Sequence, residues 1–130
     1  MKLKNKIKLK FTNDINKKME VLKEELYTQL GYEWVEVPQN IINKYRNTTK
    51  KGMKYTDDEI EYKINREIYS GSTFMEGKNV ISVGYGNMNI MYHNEDNKIY
   101  YISNSKTNKH GHVNAENKKQ FKRVYLEVFN

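Results

Sequence analysis

All three histidines of the chain fall within twenty residues, and two are separated by a single glycine. In an extended His110-Gly111-His112 both imidazoles project to the same side, as two ligands of a metal ion or as a general acid and a general base. His93, Glu95 or Asp96 would be the source of a third ligand. A metal-independent ribonuclease needs a base, an acid and a cation at the cleaved phosphate, and His110, His112, Lys109, Arg123, Tyr100 and Tyr101 contain that inventory. Neither spacing matches an established zinc or nuclease motif, and histidines in a polar loop are ordinarily solvated. Catalysis and metal binding therefore rank behind simple binding, and no cofactor is expected.

The lysines make a stronger pattern. The net charge is +7, but residues 1 to 10 carry five lysines and no acid, and residues 104 to 123 carry six basic residues against Glu116 alone. The other hundred residues are net acidic. In KLKNKIKLKF, Lys2, Lys4, Lys6, Lys8 and Lys10 alternate with apolar residues, so a strand there sets five ammonium groups about 6.7 Å apart on one face. That ladder suits successive phosphates of a nucleic acid, although lysines on an edge strand also guard against edge-to-edge aggregation. The second segment joins Lys106 and Lys109 in a polar loop to Lys118, Lys119, Lys122 and Arg123. Spacings of four place these last residues in two adjacent rows of a helix.

Other polar clusters have plainer readings. Thr56-Asp57-Asp58-Glu59 is a capping box with acids in the first turn of a helix, which accounts for Asp57, Asp58, Glu59 and Glu61 without a magnesium ion. Gly84-Tyr85-Gly86 precedes a strand and offers no helix N-terminus to a phosphate. Tyr32 and Trp34 read as packing residues.

The elements that must position these groups follow from periodicity. Ile15, Met19, Leu22, Leu26 and Leu30 recur at three and four, predicting a helix over about 13 to 30 with Gly31 after its last turn. Glu33 to Val37 reads as a short strand, followed after Pro38 by a short helix around Ile41, Ile42 and Tyr45. The capping box opens a helix that carries Ile60, Ile64 and Ile68 and ends before Gly71. Gly71 to Lys78 reads as loop. Strands follow at Asn79 to Val83 and Asn87 to Tyr92, and the turn Asn94 to Asn97 joins the latter to Lys98 to Ile102 as a β-hairpin. Ser103 to Val113 reads as an exposed loop, and residues 114 to 129 as a basic helix. The sum is a single α+β domain: an antiparallel sheet of about four to five strands with helices packed on one face.

Composition bounds the function. With 130 residues and no cysteine, the chain has room for one modest core and none for disulfides, thiolate metal sites or a cysteine nucleophile. It has no apolar run of membrane-spanning length and no signal-like start, so a cytoplasmic protein without a membrane partner is expected. Twenty lysines against three arginines, with seventeen asparagines, match the codon usage of low-GC bacteria, their phages and plasmids. Over about the last fifty residues, the order hairpin, loop, basic helix resembles double-stranded-RNA-binding domains. Lys118-Lys119-Gln120-Phe121-Lys122 matches their KKxxK spacing, while large apolar side chains stand where that family packs alanines. The same order resembles the three-strand-plus-helix DNA-binding domains of some integrases. The leading expectation is a small nucleic-acid-binding accessory or regulatory protein without catalytic activity. A protein-interaction module or inhibitor docking on a nucleic-acid-handling enzyme is second, and a ribonuclease-like toxin third.

Overall fold

The computed structural model describes residues 14–49, 52–75, 77–105 and 112–130. The lysine-alternating segment 1–11, with Lys2, Lys4, Lys6, Lys8 and Lys10, lies outside the described residues, as do Lys106, Lys109 and His110. Helices α1 (Ile15–Leu30), α2 (Gln39–Thr48), α3 (Asp57–Ser70) and α4 (Ala115–Phe129) accompany strands β1 (Ser72–Met75), β2 (Val80–Tyr85), β3 (Met88–His93) and β4 (Lys98–Asn104). The strands form one antiparallel sheet in chain order. This is the expected α+β class, and no described helix is long and apolar enough to cross a membrane.

The chain divides into two compact units, one within Met1–Trp34 and Lys119–Asn130, the other Val35–Lys118. In the first, α1 begins where the Asp14 carboxylate accepts the amides of Asn16 and Lys17, and ends where Gly31 turns left-handed at φ 67°. Its stripe of Met19, Leu22 and Leu26 is buried, as are Phe121, Val124 and Val128 of α4. Tyr32 meets Phe121 edge-to-face at 5.3 Å, an arrangement favoured by the ring quadrupoles.

In the second unit, Pro38 caps α2 and its carbonyl accepts from Ile41 and Ile42. The capping box of α3 forms in full, with Thr56 accepting from the Glu59 amide and the Glu59 carboxylate accepting from the Thr56 amide. Helix α3 lies against β2, and α2 against β4. Burial alternates along β3, placing Met88, Ile90 and Tyr92 inward. Val83, Ile90 and Ile102 align across three strands and are fully buried, each contributing about 1.5 to 3 kcal/mol.

Three sequence expectations need correcting. Gly71 to Lys78 is not all loop, because Ser72 to Met75 pair with Ile81 to Gly84 as an edge strand. The approach that allows this is invisible to periodicity: a Cβ on Gly71 would stand 2.6 Å from the Gly84 carbonyl oxygen. Glu33 to Val37 makes a single parallel bridge, Glu36 to Lys98, rather than a strand. Its neighbour Val35 is instead held by a side chain of α3. The joint between β2 and β3 is the pair Gly86-Asn87, with Gly86 at φ 58°, whereas Gly84 sits buried inside β2.

Candidate nucleic-acid interface

Of the basic residues expected to bind, those that the structure describes, Lys118, Lys119, Lys122 and Arg123, stand on helix α4. Phe121, Val124 and Val128 define its buried side, and Lys118, Lys119 and Lys122 share one flank beside it. Lys119 and Lys122 are exposed, and neither forms an ion pair among the described residues. Lys118 is half-buried, its ammonium 5.6 Å from the centre of the Tyr85 ring. Within the first unit, Lys18 of α1 lies over Phe129, one of the residues on that same flank, with Nζ 5.9 Å from the ring centre.

Arg123 does not join this flank. Its guanidinium donates to the Glu127 carboxylate, one turn on, and to Gln29 Oε1 at 3.1 Å. The two-row patch expected from spacing is therefore a three-lysine flank on α4, and the guanidinium that would have completed it is neutralised within the protein. Lys18 had a signal in the sequence, the pair Lys17-Lys18 in α1, but only the packing of Phe129 puts it beside α4.

Two of the three histidines, His93 and His112, are among the described residues. His93 is exposed and stacks on Tyr100 with ring centres 4.5 Å apart. His112 is exposed, and its carbonyl accepts from the Ser72 hydroxyl at 3.3 Å. No group of three or more His, Asp or Glu side chains among the described residues is placed to hold a metal ion. An open groove of about 470 Å³ lies beside Trp34, lined by Glu20, Glu24 and Glu33 with Tyr27 and Lys23. Lys23 sits over the indole at 5.8 Å. Three carboxylates disfavour a phosphate or any anionic cofactor there.

The outward side of the sheet is a second surface. Residues opposite in phase to the apolar core set form the row Phe74, Ser82, Met91 and Tyr101 across all four strands, of which Ser82 is buried. At Met91/Tyr92 the register shifts: Tyr92 pairs with Ile99 and Met91 with Tyr101, which leaves Tyr100 without a partner. Such a bulge breaks the alternation. Two consecutive tyrosines consequently face solvent together, 44% and 39% exposed, while Ile99 and Ile102 on either side stay buried. The Ser82 hydroxyl donates to Asn89 Oδ1 at 2.9 Å within this face. Lys44 of α2 reaches the Tyr101 ring at 5.2 Å.

Beneath the sheet lies a titratable pair that sequence reasoning passed over. Glu67 of α3 is buried and accepts the phenol proton of Tyr45, while its Oε1 has no hydrogen-bond partner among the described residues. Burial pushes the Glu67 carboxyl up to about 7, against the opposing pull of the Tyr45 hydrogen bond and of Arg66, Lys63 and Lys118. Burial, followed by the charge of Glu67, also holds the Tyr45 phenol well above its ordinary range. At the surface, the hydrogen bond from Arg46 holds Asp57 below the usual carboxylate value. In the first α3 turn Glu59 thus serves the helix cap and Asp57 this ion pair.

No protein-family model matches the chain, and no curated protein or solved structure is significantly similar to it.

Proposed function

We propose that this chain is a nucleic-acid-binding protein of the accessory or regulatory kind, acting by occupancy and not by catalysis. The observation that carries the reading is the flank of Lys118, Lys119 and Lys122 on α4, where the two exposed ammonium groups have no carboxylate among the described residues to neutralise them. Ammonium groups left this way remain surrounded by water and counterions, and exchanging those for phosphates releases counterions from the nucleic acid. The net charge of +7 favours encounter with a polyanion. The rival reading, a protein-interaction module, draws on the exposed tyrosines of the sheet, because aromatic anchors also suit protein partners.

Salt dependence tests the first against the second. Fluorescence anisotropy with labelled DNA and RNA duplexes should give log affinity falling linearly with log salt, by about 0.9 per phosphate neutralised on B-DNA. The double variant Lys119→Glu/Lys122→Glu should bind more weakly and with a flatter slope. It is a better probe than one including Lys118, whose charge acts on the buried Glu67. If the wild-type chain binds no nucleic acid even at low salt, the reading falls and the protein-interaction module replaces it.

A further inference from the structure

We propose that the outward face of the sheet is a stacking platform for single-stranded nucleic acid. This deepens the nucleic-acid reading and rests on it. The argument begins with charge. The four strands, Ser72–Met75, Val80–Tyr85, Met88–His93 and Lys98–Asn104, contain no aspartate or glutamate. Their outward positions offer aromatic rings, neutral hydrogen-bonding groups on Asn89 and Ser103, and the cation Lys98 in the same row as His93, while Ser82 is buried. Among the described carboxylates, Glu95 and Asp96 lie in the turn at one end of the β3–β4 hairpin, and the exposed Glu36 is bridged to Lys98 beside that same turn. A polyanion is thereby favoured across the middle of the sheet and disfavoured at that turn.

The rings are already arranged for bases. Tyr100 is held against His93 with ring planes 21° apart, so the phenol is kept in place by a stack and not by burial. Tyr101 stands beside it in sequence, with the Lys44 ammonium near its ring. Because that cation lies over the ring, a base stacking on the same face of Tyr101 would displace it toward the nucleotide's phosphate. Across the sheet Phe74, 45% exposed, ends the row that Tyr101 begins. Three strand spacings separate them, about 14 Å, which is room for two or three bases. A duplex hides its base faces in its own stack and cannot use such rings. A single strand can, and base–aromatic stacking does not depend on sequence. A protein partner would more naturally meet an aliphatic centre, whereas the centre of this face sets the polar Asn89 beside Met91, with Ser82 buried.

The test compares a labelled 12-nucleotide single strand, as oligo-dT and oligo-U, with a duplex of equal length on the whole chain. The single strand should bind at least tenfold more tightly. Tyr100→Ala/Tyr101→Ala should lose roughly 10- to 100-fold for the single strand, and Tyr101→Phe should retain most of the binding. Duplex affinity should be unchanged in both variants, and melting temperatures close to wild type would confirm that the exposed substitutions leave the fold intact. If the duplex binds as well as the single strand and the tyrosine variants change neither, the platform is wrong while the nucleic-acid reading stands. If no nucleic acid binds at low salt, both fall, and the aromatic face becomes a protein-docking surface.

Discussion

The phenol of Tyr45 donates a 3.0 Å hydrogen bond to Oε2 of Glu67, a carboxylate that α3 carries into the interior with its second oxygen unpartnered among the described residues. The pair makes stability depend on pH. An acid whose pKa rises from 4.5 to about 7 on folding binds its proton more tightly folded than unfolded. Its contribution is therefore complete below the unfolded value and is lost as pH rises through the folded one. Urea unfolding should give a stability about 3 kcal/mol lower at pH 8 than at pH 4.5 from this group. Glu67→Gln should remove that part of the slope, and a variant that keeps it would assign the titration elsewhere.

Asn65 should be the least replaceable polar residue of α3. Fully buried, it accepts the Val35 amide at 2.8 Å and donates to the Val35 carbonyl at 3.2 Å, doing for that residue what a neighbouring strand would. Asn65→Leu leaves both backbone groups of Val35 without this partner and should cost about 2 to 4 kcal/mol. Asn65→Asp should be no better, since it places a carboxylate against the Val35 carbonyl. Denaturant midpoints of the two variants check this, and a Leu variant as stable as wild type would refute it.

Gly71 is extended, at φ −85° and ψ −177°, and needs no glycine for its conformation. It needs one for space, because an added methyl would meet the Gly84 and Glu67 carbonyl oxygens at 2.6 and 2.8 Å, both of them backbone. Gly71→Ala should destabilise by about 1 to 3 kcal/mol and loosen β1, seen as faster amide exchange where β1 pairs with β2. Unchanged exchange there would show that the neighbouring backbone can yield.

Arg123 gives the contrast to the lysine flank. Because its guanidinium is already bound to Glu127 and Gln29, Arg123→Ala should change nucleic-acid affinity by less than about twofold. As an exposed pair, it should also cost no more than about 1 kcal/mol of stability. A loss of affinity as large as that of Lys119→Glu/Lys122→Glu would show that the ion pair opens on binding.

The elements with strong periodicity were legible in the sequence. The stripe from Ile15 to Leu30, the capping box at Thr56, the β3–β4 hairpin and the last helix all stand close to where spacing puts them, since each depends on contacts between residues near in sequence. What spacing did not reveal depends on residues far apart. Strand β1 exists because Gly71 lets it approach β2, and Glu36 reaches β4 for a single bridge while Asn65 of α3 holds Val35. Of the candidate site, the α4 lysines were readable and Arg123's engagement with Gln29, ninety-four residues away, was not. The aromatic face was missed for a different reason: an alternating pattern assigns Tyr100 and Tyr101 to opposite sides, and one unpaired residue is enough to break the assignment.

That unpaired residue has a consequence at the level of the gene. Removing the codon for Tyr100 would leave Ile99, Tyr101 and Ile102 in plain alternation against Tyr92, Met91 and Ile90, with every cross-strand partner kept. Loss of any paired residue of β3 or β4 would instead turn part of a buried set toward water. Among paired strands that tolerate no length change, this is the one place where an in-frame gap is compatible with the same core. Homologous genes that differ in length within the paired residues of this hairpin should differ here, and the shorter ones should encode a sheet with one ring fewer.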